Sequence, residues 1–177
     1  MSEWVWETSP DGASRYVLGT AGENPLVCIG VNPSTAVPNQ LDRTVTRVSR
    51  FAERAGHDSW VMLNVYPQIS TDPAGLHREC DPLLMEQNLH HIAQRVDGRP
   101  LTVLAAWGVL VESRPYLVGL VGAVVALPAL ASVSWVSLGA PTKAGHPRHP
   151  LYVGGTTPLE PFDVAAYLDA EKRENPR

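Results

Sequence analysis

The chain has 177 residues, 44% of them hydrophobic and 18% charged, with a formal net charge of −4. That length suits one domain over residues 1–177, with a core from about 15 to 170 and short loose termini. The composition excludes a disordered chain, and the acidic balance argues against a generic nucleic-acid binder, although local charge decides where a phosphate docks.

Four apolar segments read as strands. Residues 25–31 (PLVCIGV) form an unalternated run suited to a strand covered on both faces. Residues 60–65 (WVMLNV) and 101–107 (LTVLAAW) have the same character, while 132–138 (SVSWVSL) alternates more and suits a position nearer the sheet's edge. Residues 15–19 read as an extra strand or hairpin with the N-terminal tryptophans. Between the strands, Asp42 caps a helix reaching Ala55, with Gly56 as its stop and Val45, Val48, Phe51, Ala52 and Ala55 at helical spacing. A second helix starts near Asp81-Pro82 and ends near Val96. A third lies around residues 109–126 and a last one around 161–172. The alternation predicts an α/β fold of three layers, α/β/α, around a central, mostly parallel four-stranded sheet.

No charged residue occurs from Pro115 to Thr142, but Pro128 and Ser132 interrupt the apolar run, so a buried helix leading into a strand is preferred to a membrane span. The first residues are acidic and aromatic, unlike a secretory leader. Cys28 lies in an apolar run, and Cys28 and Cys80 lack metal-ligand spacing. The expectation is a cytoplasmic protein with no cofactor, metal or membrane partner.

Ligands of such sheets sit at the carboxyl ends of the strands. There, Pro33 restricts Asn32 to extended geometry, and its carboxamide either positions a water or caps the turn. Ser34 and Thr35 either donate to an anion or form that turn. Asn64 is an unusual strand residue; its amide either reads a nucleobase edge or bonds a neighbouring loop. Tyr66 and Trp107 can stack on a base or pack in the core. The loop GHPRHPLY (145–152) carries His146, Arg148, His149 and Leu151 on a stiff cationic segment shortly after Lys143, able to meet developing negative charge or a phosphate. His-x-x-His with no third ligand is poor for zinc. Arg43, Arg47, Arg50 and Arg54 share one helix face, either as a solvated surface or as a guide for a polyanion.

The stretches RYVLG (15–19), VCIGVNPSTA (27–36), LDRTVTRVSRFAERAG (41–56), LNVYP with TDP (63–73), AAWG (105–108) and GHPRHPLY occur in the order seen in the DUF1643 family, which the chain resembles over roughly 15–155. More remotely, the order resembles the uracil-DNA glycosylase superfamily. That resemblance implies a glycosylase-like fold, with Asn32 holding a hydrolytic water and Asn64 reading the base. His146 or His149 would face a pyrimidine carbonyl, and Leu151 would act as a wedge beside a flipped nucleotide. The expected activity is hydrolysis of the N-glycosidic bond of uracil or a modified base, with DNA or a nucleotide as partner. The alternative is a non-catalytic module that binds a nucleotide or nucleic acid in the same pocket.

Overall fold

The computed structural model describes residues 3–174. The outermost termini, expected to be loose, lie partly outside the described residues. Seven strands form one sheet: β1 (Trp4–Thr8), β2 (Arg15–Thr20), β3 (Pro25–Gly30), β4 (Ser59–Asn64), β5 (Thr102–Ala105), β6 (Ser134–Leu138) and β7 (Leu159–Pro161). Their order is β1-β2-β4-β3-β5-β6-β7. The expectation of a four-stranded, mostly parallel sheet is overturned. The sheet is mixed: β1–β2, β2–β4 and β6–β7 pair antiparallel, whereas β4–β3, β3–β5 and β5–β6 pair parallel. The N-terminal segment adds a full hairpin to one edge, because Trp4, Val5 and Trp6 find partners along β2. At the other edge, β7 has only three residues, among them Glu160 and Pro161, so it carries no alternation from which to read it.

Four helices complete the fold: α1 (Arg43–Arg54), α2 (Pro82–Val96), α3 (Leu117–Val125) and α4 (Val164–Glu174). The Asp42 carboxylate accepts from the Val45 amide at 2.9 Å and starts α1. Asp81 does the same for α2, which ends at Asp97 in the left-handed region, φ 52°. The stretch expected to form one helix over 109–126 is divided into a 3₁₀ segment (Gly108–Ser113) and α3. Pro115 explains the break, since it excludes Arg114 from helical geometry and leaves it extended at φ −142°, ψ 138°. Among the described residues, no helix is long and apolar enough to cross a membrane.

The period of two along each strand sorts side chains into two cores. Leu26 and Cys28 of β3, Trp60 and Met62 of β4, and Leu104 of β5 pack with Val45, Val48, Phe51 and Ala52 of α1. On the opposite face Val27, Ile29, Val61, Leu63 and Val103 meet Ile92 and Val96 of α2, Leu120 and Val121 of α3, and Tyr167 of α4.

Candidate functional site

A cavity of about 610 Å³ opens where β3, β4 and β5 end, on the face covered by α1. Asn32, Asn64 and His149 all line it, as do Ser34, Thr35, Arg43 and Leu151.

Asn32 follows β3 immediately and is held on one side. Its Nδ2 donates to the Pro33 and Ser70 carbonyls, both at 2.9 Å. The Ser70 amide donates to the Pro33 carbonyl at 3.0 Å, fastening the 68–72 loop to the turn. With the amide nitrogen occupied, Oδ1 is the part of this side chain left to accept from a ligand or a water.

Asn64 pairs in register with Gly30. It is 1% exposed, and its Nδ2 has no hydrogen-bond partner among the described residues. Its Oδ1 stands 3.1 Å from where a β-carbon on Gly30 would lie, so the glycine at the end of β3 leaves room for this carboxamide. From α2, the buried Asn88 donates through Nδ2 to the Asn64 carbonyl at 2.8 Å and holds the end of β4. An orphaned buried donor costs about 1–3 kcal/mol, a cost that a ligand's acceptor would remove.

His149 caps the short 3₁₀ turn Pro150–Tyr152, where its Nδ1 accepts from the Leu151 amide at 3.2 Å. The neutral ring therefore carries its proton on Nε2. Burial pushes its pKa below the usual histidine value, and the Asp42 carboxylate opposes that shift. The unfolded chain thus takes up a proton near pH 6.5, where the folded chain does not. This contribution to stability is fully present above pH 6.5 and fades as the pH falls through the lower folded value. Urea midpoints measured from pH 5 to 7 should climb with pH, and His149→Gln should flatten part of that slope; an unchanged slope would contradict the assignment.

The turn carrying His149 is seated by Gly108. With φ at +56° and a β-carbon position only 3.1 Å from the His149 Cβ, this residue has neither the conformation nor the space for a side chain. Gly108→Ala is expected to cost about 1–2 kcal/mol from the left-handed backbone alone and to displace the turn. Thermal unfolding, together with the chemical shift of the His149 ring, would register both.

Other expected site residues lie elsewhere. His146 is 1% exposed; its Nε2 donates to Glu112 Oε1 at 2.7 Å, and its Nδ1 pairs with the Tyr167 hydroxyl at 3.1 Å. It ties the late loop to α4 and the 108–113 segment, so His149 is the histidine of the cavity. Tyr66 and Trp107 are fully buried in the opposite core and do not form stacking walls. The Tyr66 hydroxyl accepts from the Asp81 amide at 3.1 Å and meets His77 Nδ1 at 2.7 Å. Trp107 packs against Trp135, Phe162 and Tyr167. Lys143 is exposed, and Arg148 Nε donates to the Ala140 carbonyl at 2.9 Å; neither lines the cavity. The arginine stripe is also broken. Arg47 Nε donates to the Pro150 carbonyl at 2.7 Å, its Nη2 bonds the Val153 carbonyl, and the group lies over Phe51. Arg43, Arg50 and Arg54 are exposed, and only Arg43 of these reaches the cavity.

Among the lining residues that escape the sequence reading are Arg15, Asp42 in any role beyond capping, Ser70 and Tyr152. Tyr152 is 72% exposed at the cavity, whereas Tyr66 and Trp107 are buried away from it. Arg15 heads a strand that is apolar beyond it (RYVLG), and a charged residue at that point was the available signal. Among the described residues, no cluster of three or more His, Cys, Asp or Glu can hold a metal ion.

Residues 15–151 match the family described as "Protein of unknown function (DUF1643)". The chain belongs to that family. No curated protein and no solved structure matches it. In this DUF1643 protein the matched region contains Asn32, Asn64 and His149, and stops at Leu151, one residue short of Tyr152.

Proposed function

We propose that the cavity receives a nucleobase and that the protein hydrolyses its N-glycosidic bond. The observation that carries this reading is the convergence of Asn32, Asn64 and His149 on one cavity at the strand ends. Asn64 supplies a donor and an acceptor for a base edge, and Tyr152 a surface for stacking. A water held by Asn32 Oδ1 attacks the anomeric carbon as the bond to the base nitrogen breaks. The electron pair leaves with the base, whose developing negative charge meets the Nε2–H of a neutral His149. A proton from the water is released as the sugar hydroxyl forms, and the departing base takes one up.

The volume agrees with a nucleoside-sized ligand. Arg47 is bonded to the 150–153 turn, and of the three exposed arginines of the stripe only Arg43 lines the cavity, which favours a small substrate over a helix.

The test incubates the protein with nucleosides, mononucleotides and single- and double-stranded oligonucleotides bearing uracil, mismatched thymine or modified pyrimidines. Free base is then resolved by chromatography and abasic sites are cleaved with alkali. Release of base from at least one substrate class, lost on Asn32→Ala, is the expected result. Ligand-dependent thermal stabilisation without release from any substrate would replace hydrolysis by the non-catalytic binding role; the absence of both release and stabilisation would rule out a nucleobase ligand.

A further inference from the structure

One charged group in the cavity has no part in reading a base. Arg15 is 2% exposed and lines the cavity together with Asn64. Its Nη1 donates to the Ala36 carbonyl at 2.8 Å, while its Nε has no hydrogen-bond partner among the described residues. No carboxylate lies within ion-pair distance of it among those residues. Asp42 is near enough to favour its charge, but the Asp42 Oδ1 is engaged with the Val45 amide. Burial lowers the Arg15 pKa to about 10, which leaves it a cation at neutral pH. A guanidinium removed from water without a paired anion is costly to keep. Its planar fork matches phosphate oxygens, which accept two parallel hydrogen bonds from it.

We infer that Arg15 receives a terminal phosphate, making the ligand of this cavity a nucleoside monophosphate rather than a neutral nucleoside. The base half of this ligand rests on the function proposed above; the phosphate half rests on Arg15. A terminal group fits best because Arg15 lines the cavity yet is only 2% exposed. A phosphodiester continues on both sides and would have to thread past the wall that buries Arg15, whereas a monoester ends there. Arg43, at the start of α1, adds a second cation to the same cavity and offsets the Asp42 carboxylate.

Calorimetric titration of the full chain with uridine, cytidine, thymidine, their monophosphates, inorganic phosphate and a short oligonucleotide tests the inference. The wild-type protein should bind a monophosphate at least about 10-fold more tightly than its nucleoside. Arg15→Met should collapse that ratio to within about 2-fold, Arg15→Lys should keep part of it, and Asn64→Ala should weaken both ligands while preserving it. Equal wild-type affinities for nucleoside and monophosphate would overturn the inference without need of any variant. So would a ratio that survives Arg15→Met, or an oligonucleotide bound more tightly than every monophosphate. A preference that depends on Arg15, with no base released, would refute hydrolysis and leave the phosphate site standing. Base released equally well from nucleoside and monophosphate would do the reverse.

Discussion

Asn32→Ala is expected to slow base release by about 10²–10³-fold while changing ligand affinity less than about 3-fold. Both hydrogen bonds of Nδ2 fasten the side chain to main-chain carbonyls, so its oxygen has a fixed direction before any ligand arrives. A fixed acceptor orients an attacking water at little entropic cost during the reaction, and alanine removes that orientation without removing Asn64, His149 or Tyr152. Asn32→Asp separates chemistry from architecture. It sets a carboxylate oxygen against the Pro33 and Ser70 carbonyls, where an N–H stood, and should unfold at a lower temperature than the alanine variant. Single-turnover rates with thermal melts read both effects. Release rates within 10-fold of wild type in Asn32→Ala would remove the residue from the mechanism.

Trp107→Ala should be the most damaging single substitution for stability, at about 3–5 kcal/mol. For a chain of this size that lowers the melting temperature by about 6–20 °C. The indole is completely buried and meets three aromatic rings at centroid distances of 5.7–6.3 Å, so its removal opens a large cavity between the sheet and α4. Trp107→Phe should recover much of the loss. A variant that keeps its melting temperature but loses ligand affinity would place the ring at the site after all.

Much of the sheet's interior and of its best-capped helices is legible in the sequence, because a buried strand writes a continuous apolar run and a capped helix writes its own start. Asp42 and Asp81 both cap the helices assigned to them. The edges are less legible. A three-residue strand such as β7 leaves no pattern, and nothing local in β2 states that it will pair antiparallel to β4. The site divides in the same way. Asn32 and Asn64 stand out because an amide at the end of an apolar run is an expensive choice, whereas the sequence offers His146 and His149 equally and only the fold separates them. Trp107 and Tyr66 mislead because each lies two residues beyond the last residue of its strand, where the sequence does not say which face a side chain takes. Both turn into the opposite core. Arg15 is hidden because its environment is assembled from Ala36, Asp42 and the ends of strands distant in sequence.

The bonds from Arg47 to the 150–153 turn join helix α1 to the segment bearing His149. Two walls of the cavity are thereby one piece, and the Asn32 amide pins the 68–72 loop as a third. A receptacle framed in this way is shaped before it is filled, so binding orders few residues and loses little affinity to that ordering. For the ligand proposed above, discrimination would then fall to size and to unmatched polar groups, since a molecule that leaves the Asn64 amide or the Arg15 fork without a partner forgoes those hydrogen bonds.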